Sequence, residues 1–304
     1  MDQIQSMRTF TRVVEAGSFT KAAESLDAPK GTVTKQIQHL EARLRVKLLN
    51  RTTRLVTVTP DGAAYYERTV RLLADLDDIE ASVANAQANP RGKLRVDIGA
   101  SVARRLIIPA LHGFYARYPD IQLDLGVSDR PVDLIGDNID CVVRSGELTE
   151  PSLVARRIGT LDFITVAAPA YLERHGTPAH PLDLERGHRM LHFFSARSGR
   201  QFGHHFQRGD EHVEVTGHYQ LAQNESNAHV SALVAGLGIA QTARFDAQPC
   251  IASGDLVQVL PDWQGPSLPV HVVYPPNRHL SAKVRAFVDW TAELFARNPL
   301  VQRR

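Results

Sequence analysis

Apolar residues recur at helical spacing from the start of the chain. Ile4, Met7, Phe10, Val13 and Val14 predict an amphipathic helix over residues 2–16, and Gly17 can end it in a left-handed cap. Ser18 can cap a second helix whose inner face carries Ala22, Ala23 and Leu26. Asp27-Ala28-Pro29 breaks the chain. A third helix over residues 30–44 follows, with Val33, Ile37, Leu40 and Leu44 inside and Thr32, Thr34, Lys35, Gln38 and His39 outside. Two short helices joined by a tight turn, the second polar on its outer face, describe a helix-turn-helix. Arg51-Thr52-Thr53-Arg54, then alternation from Leu55 to Thr59, predict a hairpin that would serve as a wing.

From Asp61 to Asn89 the pattern changes to a heptad. Tyr65, Thr69, Leu72, Leu76, Ile79, Val83 and Ala86 follow one another at spacings of 4 and 3, with Thr69 the polar exception. One apolar stripe on a long helix needs a cover, either another part of the same chain or a second copy, and the second reading makes this segment a dimerisation helix. Residues 84–92 (ANAQANPRG) read as a hinge.

Beyond Lys93 strands and helices alternate. Strands are expected at 94–100, 122–127, 141–144, 163–168, 239–241 and 268–274, and helices at 106–117, 132–136, 171–175, 222–237 and 281–296. Such alternation predicts an α/β domain with mainly parallel sheets, and its length of about 210 residues suggests two lobes.

Charge changes the picture of the first segment. The net charge of the 304 residues is +2, yet residues 1–60 hold ten cations against five anions, or +5. Residues 61–89 hold two cations against six anions, or −4. Seven cations fall between Lys30 and Arg54, with Glu41 the only anion. A solvated basic face accounts for charge alone; combined with the helix-turn-helix spacing, it reads as the footprint of a nucleic-acid binder. The recognition helix would present Lys30, Gly31, Thr32, Thr34, Lys35 and His39 to the major groove. Ser18, Arg51 and Arg54 are candidates for the DNA backbone or minor groove.

Over residues 7–62 these elements resemble the winged helix-turn-helix of LysR-type transcriptional regulators. The shared pattern is F-x-x-V-x-E-x-G-S-F-x-x-A-A-x-x-L, then Q-I-x-x-L-E, L-x-x-x-L-x-x-R-x-x-R and T-x-x-G. Arg45 departs from it where the family usually has Gly, Leu49 where Phe is common, Pro29 where Ser is frequent, and Thr34 where another Ser is usual. The segments IIPALHGFYARYPDIQLDLGVSDRPVDLIGDNIDCVVRSGEL, AAPAYLERHGTPAHPLDLERGHRML, SGDLVQVLPDW and SAKVRAFVDW are similar to that family's effector domain.

The resemblance implies an α/β chain with an all-α N-terminal part. A winged helix-turn-helix would occupy residues 1–60 and a dimerisation linker helix 61–89. A two-lobed, periplasmic-binding-protein-like effector domain would occupy 90–304. Lobe I would take about 93–163 and 270–304, and lobe II about 164–269, with crossover strands near Phe163–Ala167 and Val270–Tyr274. It also implies double-stranded operator DNA as partner, a homodimer assembling to a homotetramer, RNA polymerase as a further contact, and a cytoplasmic, nucleoid-associated location. The linker seam would use Tyr65, Leu72, Leu76, Ile79 and Val83.

A small-molecule effector would bind between the lobes at strand ends and helix N-termini. Candidates are Ser101, Val102, Ser128, Arg144, Ser145, Gly146, Asn224 and Ser226, each of which could also be a plain cap or turn residue; Phe194 is a weaker candidate for an aromatic wall, with core packing as its other role. Arg144 and the amide-rich loops point to an anionic or aromatic effector.

Enzyme signals are weak. Gly236-Leu237-Gly238 follows a helix and precedes a strand, the reverse of a dinucleotide fingerprint, and GxSxG, HExxH and P-loop motifs do not occur. Nine of the thirteen histidines lie between His175 and His229, without Cys or carboxylates at ligand spacing. The expectation is no catalysis, no cofactor and no metal, with a solute-binding receptor or a metal-dependent enzyme as the alternatives. Cys141 and Cys250 form no CxxC, and neither an export signal nor a membrane span is evident, which fits a reduced compartment.

Overall fold

In a computed structural model, residues 2–51, 56–83, 90–146, 153–276 and 280–302 are described. They form two units, Met1–Ala88 and Asn89–Arg304.

The first unit begins with α1 (Gln3–Ala16), capped by Asp2, whose carboxylate accepts from the Ile4 amide at 2.9 Å. Gly17 ends it with φ +59°, the left-handed geometry that glycine adopts freely. Then come α2 (Phe19–Ser25) and α3 (Lys30–Leu44). Phe10, Val13, Ala22, Ala23, Val33, Ile37 and Leu40 close on one another as its core. The small alanines let α2 approach its neighbours. Within this apolar setting the Thr9 hydroxyl donates to Gln36 Oε1 at 2.6 Å and fixes α1 against α3. The wing strands β1 (Leu49–Arg51) and β2 (Val56–Val58) pair antiparallel, and α4 (Pro60–Val83) follows.

Arg45 caps α3 with φ +57°. A side chain there opposes the left-handed conformation. Arg45→Gly should therefore stabilise the N-terminal unit by about 1 kcal/mol. Denaturant unfolding of the two chains measures it; an equal or lower midpoint for the variant contradicts the strain.

The second unit is built on one nine-stranded sheet. Its strands are β3 (Gly92–Ile98), β4 (Ile121–Val127), β5 (Cys141–Ser145), β6 (Val154–Ala167), β7 (Met190–Phe193), β10 (Tyr219–Gln223), β11 (Ile239–Ala243), β12 (Val257–Gln258) and β13 (Ser267–Tyr274). Their order is β10-β7-β11-β6-β13-β5-β3-β4, with β12 beside β6. A separate hairpin joins β8 (His204–Arg208) and β9 (Glu211–Val215). The helices are α5 (Ala100–Val102), running through a π-helical turn at Ala103–Ile107 into α6 (Ile108–Arg117), then α7 (Pro169–His175), α8 (Ser226–Val234), α9 (Arg244–Ala252) and α10 (Ala282–Ala296).

Two buried clusters divide this unit into lobes. Leu94, Val96, Phe114, Leu161, Val270 and Phe287 belong to one, and Ile164, Val166, Tyr171, Leu233, Ile239 and Trp263 to the other. Strand β6 serves both: its residues up to Asp162 pair with β13, and Phe163–Ala167 pair with β11. Among the described residues no helix is long and apolar enough to cross a membrane.

Several elements differ from the sequence reading. The sheet is mixed, because β6 and β13 run antiparallel to their neighbours, while β3 with β4 and β5, and β7 with β10 and β11, are parallel. No helix forms at 132–136; the chain turns at 134–138, where the Asp133 carboxylate captures the amides of Ile135 (3.1 Å) and Gly136 (2.9 Å). The expected helix over 222–237 is shorter: β10 continues to Gln223, and Glu225 caps α8 by accepting from the Asn227 and Ala228 amides. Helix α9 forms despite an internal Pro249, at the end of a short helix where few carbonyls lose a donor.

Candidate DNA and effector sites

Helix α3 is held from one side only. Val33, Ile37 and Leu40 are buried, whereas Lys30, Gly31, Thr32, Lys35, Gln38 and His39 are exposed and Thr34 is half-buried. The cations and hydroxyls thus share one outward surface near the helix N-terminus. Ser18 has a local task, since its hydroxyl caps α2 by accepting from the Lys21 amide at 3.5 Å. Arg51 ends β1, its side chain and Arg54 lying outside the described residues.

Glu41, the lone anion of the basic stretch, points inward. Its carboxylate accepts from the Leu48 and Leu49 amides at 3.0 and 3.2 Å, tying the start of the wing to the end of α3. Thr59 completes this frame: its hydroxyl donates to the Lys47 carbonyl at 2.7 Å and accepts from the Gly62 amide at 2.9 Å, locking α4 to the wing. The sequence reading did not single these out as positioning residues. Their signals were an isolated carboxylate and the Thr of T-x-x-G.

The heptad of α4 divides. Tyr65 turns into its own domain, its ring 5.5 Å from that of Phe10 in an edge contact, and Thr69 is buried too. This accounts for the polar exception. Leu73, outside the heptad, is also buried, whereas Leu72 is 52% exposed and Leu76 is half-buried. The side chains of Ile79 and Val83 lie outside the described residues, as does Ala86.

In the effector domain, Ser101 and Ser226 meet: the Ser101 amide donates to the Ser226 hydroxyl at 3.0 Å. Between them lies a residue the sequence reading passed over. The Asp129 carboxylate accepts from the Ala100 amide at 2.8 Å with one oxygen and from the Ser226 amide at 2.6 Å with the other. It thus joins the start of α5 to the start of α8.

The remaining candidates are placed apart or otherwise engaged. Val102 is buried in the lobe I core, and the Ser128 hydroxyl accepts from the Arg130 amide in a local turn. Arg144 already has partners. Its guanidinium is paired with the Asp97 carboxylate and donates to the Arg130 carbonyl at 3.2 Å, so it is not a free cation awaiting an anion. Ser145 is exposed, and Gly146 turns the chain with φ +108°. Asn224 and Phe194 are half-buried. Arg105 reaches Asp246 at 3.1 Å, and burial raises the Asp246 pKa against the lowering by that arginine.

The histidine-rich segment supplies lobe II packing. His192, His204 and His229 are buried, with the first two rings 5.2 Å apart and His229 in edge contact with Phe193 at 5.8 Å. Burial lowers all three pKa values, to about 3 for His204 and about 4 for His229. Among the described residues no group of three or more His, Cys, Asp or Glu is placed to hold a metal ion. Burial pushes the Cys141 thiol far above its ordinary pKa, with Asp140 adding to the effect.

Comparison with known proteins agrees with both halves. Residues 4–63 match the bacterial regulatory helix-turn-helix proteins of the lysR family, and residues 87–296 match the LysR substrate binding domain. A helix-turn-helix transcriptional repressor of Pseudomonas aeruginosa is 43% identical, over 99% of this chain and 95% of its own. Among solved structures, CrgA, a LysR-type regulator from Neisseria meningitidis, aligns with TM-score 0.61 and 30% identity, covering 95% of this chain and 97% of its own. AphB, the Vibrio cholerae virulence activator, aligns with TM-score 0.59 and 29% identity, covering 96% and 99%. The chain belongs to the LysR family of bacterial transcriptional regulators, DNA-binding proteins and not enzymes, with a helix-turn-helix domain followed by a two-lobed α/β effector domain.

Proposed function

We propose that this regulator binds operator DNA in the cytoplasm as a homodimer that pairs into a homotetramer. The N-terminal half of α3 would enter the major groove, and a small molecule between the lobes would control the outcome. The observation that carries the DNA reading is the outward surface of α3, where Lys30, Thr32, Lys35 and His39 are exposed above the buried stripe of Val33, Ile37 and Leu40. The exposed Leu72 on α4 supports a partner along that helix. Two copies would then present two recognition helices to a pseudo-palindrome, and an encounter with RNA polymerase would follow from their placement on the promoter. The division of the second unit into two lobes supports effector control, since a ligand preferring one lobe arrangement shifts the population of that arrangement.

Lys35→Ala should weaken operator binding about tenfold. It should also flatten the salt dependence, by roughly 0.9 in log–log slope for each DNA phosphate that the lysine no longer neutralises. Gel shifts over a range of salt concentrations read both, and an unchanged affinity removes α3 from the interface.

A further inference from the structure

Helix N-termini facing a cleft are a ready place for an anion, because their first amides lack helical acceptors and the aligned dipoles favour negative charge. Here those amides are already spent. Ala100 N and Ser226 N donate to the two oxygens of Asp129, at 2.8 and 2.6 Å. Ser101 N donates to the Ser226 hydroxyl at 3.0 Å. Asn227 N and Ala228 N donate to Glu225 at 3.0 and 2.7 Å. Of the arginines nearby, Arg104 donates to Asn227 Oδ1, Arg105 pairs with Asp246, and Arg144 pairs with Asp97. A free anion seeking the amides of Ala100 and Ser226 would have to displace the tethered carboxylate of Asp129. Tethering favours the resident, because its carboxylate surrenders no translational freedom on binding.

We infer that Asp129 is a built-in occupant of the anion seat between the lobes. It latches α5 of lobe I to α8 of lobe II and excludes free carboxylates and phosphate. The effector's group at this end of the cleft is therefore neutral or cationic. This rests on the reading of the cleft as the effector site, and it reverses the preference for an anionic effector that Arg144 and the loop amides suggested.

The test is chemical rescue of the full chain. Asp129→Ala should lower the melting temperature by about 5 °C, through loss of two charge-assisted hydrogen bonds. Sodium acetate, against sodium chloride at equal ionic strength, should restore most of that loss with saturation in the variant and leave the unsubstituted chain unmoved. Asp129→Ser supplies the same emptied seat should the alanine variant fail to fold. An unsubstituted chain stabilised saturably by acetate or phosphate overturns the inference, as does a variant that acetate does not restore. The same samples bound to operator DNA separate the two readings. Rescue that changes the mobility of the complex supports both the seat and effector control. Rescue without any change keeps the seat and counts against control through this cleft.

Discussion

Between pH 7.5 and 5.5 the effector domain should lose about 3 kcal/mol of stability, with lobe II as the source. His204 and His229 carry it. Their folded pKa values lie at about 3 and about 4, each lowered first by burial. For His204 the further causes are His192, His229 and His205, with a backbone hydrogen bond at Leu191 opposing them. For His229 a backbone hydrogen bond at Gln241 opposes burial, and His192 adds to the lowering. The protonated ring is thus disfavoured in the fold and unhindered in the unfolded chain. Above the ordinary value of 6.5 both states are neutral and stability is full. As pH falls below it, the unfolded chain gains protons that the fold refuses, and each histidine costs about 1.4 kcal/mol per pH unit. The loss levels off only near pH 4 for His229 and pH 3 for His204.

His188 and His192, also lowered chiefly by burial, add to the loss in the same direction, while the shifted carboxylates leave this window distinct. Asp183 and Glu211 have lowered pKa values, so their losses begin only in the carboxylate range. The raised pKa of Asp246 works in the opposite direction, because its proton is easier to accept in the fold. Urea unfolding at the two pH values measures the difference, against a total that is about 5–15 kcal/mol for typical domains. His204→Leu should reduce it by about 1.4 kcal/mol per pH unit below 6.5, since one titrating ring is gone and the apolar volume is kept. Equal midpoints at both pH values would show that the histidines are solvated in the fold.

The fate of these residues also shows what a sequence pattern can carry. The two faces of α3 are legible because a 3.6-residue period sorts side chains, and the inward set Val33, Ile37 and Leu40 leaves Lys35 and His39 no place but outside. The density of histidines is equally visible in the sequence. Which of them face inward is not, because that depends on β7 to β10, short strands in a stretch with no clear alternation. Asp129 is illegible for another reason. Its partners are backbone amides 29 and 97 residues away, and an amide donor leaves no mark on a side-chain pattern. The pairing of Arg144 is hidden by the converse route, since its carboxylate partner Asp97 lies 47 residues earlier on a neighbouring strand. Tyr65 satisfies the heptad on paper, yet Phe10 from a distant turn of chain claims it. Periodicity identifies an apolar face and does not say which surface covers it.

A pair of glycine substitutions would separate the frame of the DNA-binding domain from its reading surface. At Gly62 an added Cβ would fall on the Leu48 carbonyl oxygen, with the carbonyl carbon and Val58 Cγ1 each only 2.9 Å away. That carbonyl also accepts from the Thr59 amide at 3.0 Å, so backbone must move and the joint between wing and α4 must open. Gly62→Ala should cost about 3 kcal/mol, at the upper end for overpacking because the obstacle is main chain. Operator binding should fail with it, since wing and recognition helix share the Glu41 and Thr59 connections. Gly31→Ala makes the contrast. No atom lies within 4 Å of a Cβ there, and the residue sits in the first turn of α3 without a positive φ. Alanine should leave stability equal or raise it by up to about 1 kcal/mol. On the proposed interface the same methyl stands where DNA must approach, so operator affinity should fall while the melting temperature holds or rises. Thermal unfolding and gel shifts on the two variants distinguish the cases. Full operator affinity in Gly31→Ala would move the reading surface away from the start of α3, and a stable, binding-competent Gly62→Ala would show that the wing joint tolerates a side chain.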